Sequence, residues 1–551
     1  MTNTQETRPS KEFKGNATKQ GFFELPHHNP FPQEYQLIEK LVKKIKEIMG
    51  SKKSRENDDK IQELVMIDAI QRLGLECYFK DDIHAALENC NETGECSENL
   101  HDVALRFRLL RQAGYNVQAD TFSKFKDNKV GRFKQELEKD TKGLISLFEA
   151  SELSIPGDQI LDEAGEFTWN LLMNSSKNVE KSETSMIRNI LSNPCHKTIP
   201  RLTAKKQLHN FENLLKFLHD CFGTQEWIKE IQHLARIDIN MAQITLKTEI
   251  TQVSLWWKQL RMAEVLTLAR NQPAKWHMRS SVALPSPDQA ELRTELTKSI
   301  SFIYIIDDIF DLYGNLEELT LFTEAVNQWD HTNINGLPDY ITICLKALYD
   351  TTHEMSQKIY IKHGWNPKVV LQNAWAELCN AFLVEARWFA SEYLPTTTEY
   401  LTNGVVSSGV YVVFATLFSL LGEATSYEST YIWNNNHPKI VSLAGTLLRL
   451  WDDLGSAKDE DQDGHDGSFV ACYMNEHQES SDENAREYVL GMISDAWKHL
   501  NEECLSQNSP FSSDFKNAFL NLARMIPIMY KYDDNHRLPS LEKHMKSLLY
   551  E

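Results

Sequence analysis

The stretch Ile303–Gly314, IYIIDDIFDLYG, places three aspartates (Asp307, Asp308 and Asp311) directly after a run of isoleucines and aromatics. The residues just before them, SISFIYII, read as a helix built for burial. An unpaired carboxylate in apolar surroundings is costly enough to shift its pKa and lose its charge. Such a cluster therefore needs either solvent or cations. In a helix, residues i and i+4 share a face, so Asp307 and Asp311 project together, with Asp308 about 100° round. Two carboxylates side by side repel unless a cation sits between them. Oxygen-only ligands favour hard ions such as Mg²⁺ or Mn²⁺. The competing reading is a solvated helix end, and the apolar run before the acids weighs against it.

Outward from that helix, the chain is helical in pattern nearly throughout. Val103–Leu110, Asn240–Leu260 and Ser442–Leu450 repeat apolar residues at three- and four-residue spacings, and convincing β alternation is absent. The expected fold is all-α. Prolines mostly fall between the helical blocks, and no solenoid period is present. Eleven of the twelve tryptophans lie after residue 200, only Trp169 preceding it. That shift in composition predicts two helical domains, 1–225 without catalytic pattern and 226–551 carrying the chemistry. From Tyr400 to Gly422 no residue is charged, a length that suits a bilayer. The interruption by Ser407-Ser408-Gly409 predicts instead a buried, bent helix and no membrane span.

Composition narrows the function classes. A chain of 551 residues, 41% hydrophobic, has material for a sizeable core. A formal net charge of −20 argues against a sequence-independent grip on nucleic acid, which requires clustered Lys and Arg. A polyanionic ligand would have to be held locally, by metal ions or a few arginines. The nine cysteines form no CxxC pair, the closest being Cys90 and Cys96, which suits a reducing compartment and neither a disulfide framework nor a zinc site. The first 33 residues lack an apolar run and hold one serine, Ser10. Cytoplasmic localisation is expected, with a trimmed plastid protein as the alternative.

A second constellation, LRLWDDLGSAKDE, spans Leu448–Glu460. Asp452, Ser456 and Glu460 fall at i, i+4 and i+8, one helical face. Two carboxylates and a hydroxyl are a chemically reasonable further metal site, and an exposed acidic helix is the plain alternative. Arg449, one turn earlier, is placed to pair with an anion that the metals bridge. An EF-hand overlapping it from Asp459 fails, because its twelfth position is Val470 where a bidentate Glu is required. Arg270 lies 37 residues before Asp307, in LTLARNQPAKW. Two metal-ligand faces roughly 140 residues apart, with arginines beside each and aromatic walls, suit a diphosphate on a hydrocarbon tail.

With those motifs in place, the chain resembles the plant terpene synthases along nearly its whole length. DDIFD (Asp307–Asp311) looks like the family's aspartate-rich motif, and DDLGSAKDE (Asp452–Glu460) like its second metal motif. The resemblance implies a C-terminal class I α-bundle, an N-terminal α-barrel-like helical domain, and three Mg²⁺ ions, with Mn²⁺ as a substitute. It implies that Asp307 and Asp311 bind two of the ions with Asp308 in support, and that Asp452, Ser456 and Glu460 hold the third. It also implies that Arg270 and Arg449 bind the substrate diphosphate. The absence of DxDD matches a domain that does not ionise by protonation.

The departures narrow the expectation further. The second arginine of the family's RxR element is Gln272; Gly464–Ser468 reads GHDGS in place of a GDVPKS-like stretch; and no RRx8W element occurs. In the family that last element accompanies isomerisation and cyclisation. The chain thus resembles the subfamily making acyclic alcohols, linalool from geranyl diphosphate and nerolidol from farnesyl diphosphate, by water capture of an allylic cation. Trp276 and Tyr411 are candidate lining residues, each also readable as plain core, and Tyr530–Asp534 a candidate sealing loop. A monomer is expected. The alternatives are a cyclising or olefin-forming synthase, a chain-elongating prenyltransferase, and an inactive helical scaffold that binds lipid.

Overall fold

A computed structural model describes residues 32–51, 57–94, 97–127, 129–175, 181–219, 226–330, 337–425, 433, 438–456, 468–506, 509–530 and 546. Among them secondary structure is helical, the only β pairing being an isolated bridge between Lys126 and Phe133.

Two bodies of packed helices divide the core. Helices from Pro32–Ser51 to Phe211–His219 enclose clusters built around Ile70, Phe79 and Leu109, around Phe107 and Phe122, and around Phe148 and Leu191. The second body has one large core, from Trp257 to Ile526. The helix Glu226–Leu260 belongs to both: Trp227, Ile231 and Leu234 sit in the first body's core and Trp257 in the second's. The bodies are also tied by buried polar contacts. Asn501 faces His196 Nε2 at 2.8 Å and donates to the carbonyls of Glu152 (3.1 Å) and Ser154 (3.0 Å), while Arg524 donates to the His196 carbonyl at 2.6 Å.

The helix carrying DDIFD, Ala290–Leu312, is central to the second body, and almost every residue from Arg293 to Ile306 is buried. That explains its run of apolar residues on all sides rather than along one stripe. Its charged residues inside the protein are paired. Glu249 accepts from Arg293 Nη2 at 2.6 Å and lies 2.7 Å from His277 Nε2. Glu295 accepts from Lys298 at 2.9 Å and Lys358 at 2.5 Å. The helix stops at Tyr313, where the Gly314 N–H closes back onto the Ile309 carbonyl at 2.9 Å; a Cβ at Gly314 would lie 2.4 Å from Leu319 Cδ2.

The uncharged stretch 400–422 is broken at Ser408-Gly409 into helices Thr397–Ser407 and Val410–Leu420, with Gly409 in the left-handed region at φ 75°. By length and composition the joined span would cross a membrane, but most of it is buried inside the bundle. Phe414 stacks on Phe519, and Phe418 on Trp433.

Candidate active site

Asp307, Asp308 and Asp311 come off the C-terminal end of the Ala290–Leu312 helix in two directions. Asp307 is half-buried and Asp311 opens to solvent, whereas Asp308 is buried. Asp308 accepts the backbone N–H of Arg270 at 2.6 Å and its Nε at 2.7 Å. Arg270 also donates through Nη2 to Asp307 and to the Tyr304 carbonyl, and its guanidinium lies over the Tyr304 ring. Asp308 therefore anchors the arginine and leaves Asp307 and Asp311 at the rim.

That rim carries more negative charge than it can hold unaided. The surrounding protein desolvates Asp311 and the charge of Asp307 repels it, which pushes its carboxyl up to about 7. Burial likewise raises Asp308, against the opposing pull of Arg270. A carboxyl raised by desolvation and by a like-charged neighbour is the mark of a site short of a cation, and its oxygen-only donors match Mg²⁺ or Mn²⁺. A metal and a proton compete for the same oxygens, so Mg²⁺ affinity is expected to rise with pH through about 7. Calorimetric Mg²⁺ titration below and above that value checks this; equal affinities would show that Asp311 takes no part. Among the described residues no group of three or more such side chains is gathered tightly enough to close on a metal ion.

The second motif ends the helix Lys439–Ser456. Asp452 is partly buried, while Asp453 is buried and accepts from Tyr400 Oη and the Phe469 N–H, each at 2.9 Å. Burial pushes Asp453 up to about 7. The side chain of Ser456 and all of Glu460 lie outside the described residues, as do Lys531–Asp534 of the suggested sealing loop.

Arg449 donates to Ser407 Oγ at 2.7 Å and lies 3.6 Å from Glu385, to which Ser407 donates at 2.6 Å. It passes Gly404 so closely that a Cβ there would lie 2.9 Å from its Nε. Burial raises Glu385 against the opposing charge of Arg449, with Asp307 adding repulsion. Tyr530 lies within electrostatic reach of Asp452, Arg279, Arg449 and Asp307; burial pushes its phenol well up. Through Glu385 and Tyr530 the two acidic motifs share one neighbourhood.

Glu385, Tyr304 and Arg279 were not singled out by the sequence, and Ser407 was read only as part of a helix break. Glu385 carried a signal, a lone acid inside AFLVEARWF, of the kind that marked DDIFD; the others stand in ordinary helical contexts. Trp276 and Tyr411 are both buried. Trp276 stands edge-on to Trp257 at 5.0 Å, and the Tyr411 hydroxyl meets Ser442 at 3.1 Å.

An all-helical chain of two bodies, with acids of two helices converging beside arginines at one end of the larger body, has the architecture of class I terpene synthases, and the comparisons agree. Residues 258–499 match the terpene synthase family metal-binding domain, and residues 12–192 the terpene synthase N-terminal domain. A probable terpene synthase of Ricinus communis is 50% identical over 90% of this chain and 86% of its own. The chloroplastic S-(+)-linalool synthase of Arabidopsis thaliana is 46% identical over 95% and 89%. An (E)-nerolidol synthase of Cannabis sativa is 46% identical over 88% of each chain. A chloroplastic tricyclene synthase of Antirrhinum majus reaches 43% over 92% and 86%. Among solved structures, grey poplar isoprene synthase in complex with three Mg²⁺ ions and dimethylallyl-S-thiolodiphosphate superposes with a TM-score of 0.84 at 32% identity, covering 94% of this chain and 97% of that one.

This chain belongs to the terpene synthase family. It is an enzyme acting on a prenyl diphosphate with a divalent metal cofactor.

Proposed function

We propose that this enzyme makes an acyclic tertiary alcohol, linalool from geranyl diphosphate and nerolidol from farnesyl diphosphate. The observation that carries the reading is the 46% identity to both a linalool and a nerolidol synthase over nearly the whole chain. The absent RRx8W element and Gln272 in place of arginine agree with it.

In this reading Asp307 and Asp311 would hold two of three Mg²⁺ ions, and Asp452, Ser456 and Glu460 would hold the third. Bound metal supplies Lewis acidity toward the diphosphate oxygens. Arg270, fixed by Asp308, and Arg449, fixed by Ser407 and Glu385, donate hydrogen bonds that strengthen as the leaving group gains charge. The carbon–oxygen bond breaks with its electron pair leaving on the diphosphate. Water adds at C3 of the allylic cation and loses a proton, so that prenyl diphosphate plus water gives alcohol plus diphosphate. Aromatic faces around the tail stabilise the cation without attacking it.

We also propose a domain boundary near residue 225, a monomer, and the plastid as compartment. The chloroplastic relatives favour the plastid over the cytosol that the N-terminal composition suggested.

Purified protein incubated with Mg²⁺ and either substrate, with products separated by gas chromatography–mass spectrometry, tests the reading. Linalool and nerolidol as main products are expected. Mainly cyclic products would replace it with the second reading, a cyclising synthase, which the tricyclene synthase likeness favours.

A further inference from the structure

Arg279 stands on the helix Pro273–Ala283, beside Met278, whose side chain is buried in the core. Its guanidinium carbon lies 4.3 Å from the centroid of the Tyr304 ring, the ring over which Arg270 rests at 4.6 Å. The two cations differ in one respect. Arg270 is engaged by Asp307 and Asp308. Arg279 has its Nε shielded from water with no hydrogen-bond partner, and no carboxylate pairs with it among the described residues. Burial draws its pKa down to about 10, with Arg270 adding to the shift while Tyr530 and Asp452 oppose it.

A half-buried guanidinium whose Nε is shielded from water without a partner forgoes a hydrogen bond that solvent would otherwise supply. It persists where something outside the resting protein completes it. Stacking on an aromatic ring offsets part of this cost but leaves the forked N–H donors unused. Those donors suit phosphate oxygens held bidentately. The position also matters: Arg279 has Arg270, which pairs with the first motif, on one side and Asp452 of the second within electrostatic reach. This is where a diphosphate clamped between the two motifs would lie. Gln272, seven residues earlier, is uncharged where the paired arginine element has its second cation.

We propose that Arg279 is a diphosphate-positioning residue, a third guanidinium beside Arg270 and Arg449 that supplies the cation missing at Gln272. This rests on the reading that both acidic motifs grip one diphosphate.

The test uses the full chain, inorganic pyrophosphate with Mg²⁺ as the probe, isothermal titration calorimetry and thermal unfolding. R279M, close in size and uncharged, is expected to bind Mg²⁺–pyrophosphate at least about tenfold more weakly, the loss typical of one charge-assisted contact. R279K, a point charge without the fork, is expected to fall between R279M and the natural protein. Removing a half-buried cation whose Nε has no partner should leave the ligand-free melting temperature of R279M equal or higher, whereas a structural strut would lower it. Unchanged pyrophosphate affinity in R279M overturns the proposal. Should R279M fail to fold, R279K binding as tightly as the natural protein overturns it instead. If the natural protein itself fails to bind Mg²⁺–pyrophosphate, the shared clamp is wrong and the role of Arg279 goes with it.

Discussion

Asp307→Ala is expected to lower kcat/KM for the prenyl diphosphate by about 10²–10³-fold while leaving the fold intact. The magnitude is that of removing one preorganised electrostatic contact to a leaving group, here the Mg²⁺ that Asp307 would hold. The physical case lies in the division of labour among the three acids. Asp307 and Asp311 stand at the rim, where desolvation and then repulsion from Asp307 raise Asp311. Asp308 is turned inward and accepts two hydrogen bonds from Arg270. Asp308→Ala is accordingly expected to show a different signature. It removes the anchor of a half-buried arginine, so unfolding in urea should register a loss of about 2–3 kcal/mol. That is at or below the low end for buried ion pairs, because about a third of the Arg270 side chain reaches solvent. Activity assays and urea unfolding on both variants check the pair. Near-natural turnover by Asp307→Ala would remove the rim from the chemistry.

Gly409→Ala is expected to cost stability and activity together, about 2–5 kcal/mol in unfolding free energy. Two terms add. An alanine at φ 75° occupies the left-handed region at about 1–2 kcal/mol. Its Cβ would also lie 2.6 Å from Cγ2 of Ile303, and overpacking of that kind typically costs about 1–3 kcal/mol. Ile303 stands one turn before Asp307 on the same helix, so relief of the clash has to move the helix that carries the acids. The measurements are thermal unfolding and kcat on the same preparation. A variant with natural stability would show that Ile303 yields at no cost. A variant that is less stable but fully active would show that the break at Gly409 shapes the bundle without reaching the site.

Much of this was legible in the chain. The spacing of Asp307 and Asp311 is local information, because a helix puts i and i+4 on one face whatever surrounds it, whereas the face expected for Asp452, Ser456 and Glu460 runs beyond the described residues. The Ser-Ser-Gly interruption announced the break at residue 408 for the same reason: glycine has no Cβ to oppose a left-handed turn. Arg270 was legible as a candidate, but its partner was not. Nothing in a separation of 37 residues says that Asp308 rather than Asp311 turns to meet it. Glu385 escaped notice and Ser407 was read only as part of a helix break, because each acquires its role only beside Arg449.

By itself, then, the sequence determined the helical class, the face shared by Asp307 and Asp311 and the divalent-metal chemistry that oxygen ligands favour, since these follow from periodicity and side-chain type along a single segment. Tertiary structure decided which acid anchors Arg270, how Arg449 is braced against Glu385 and Ser407, and that Arg279 comes to rest unpaired on Tyr304 between the motifs. Those are contacts between distant segments, set by how the helices pack against one another, and no local pattern encodes them.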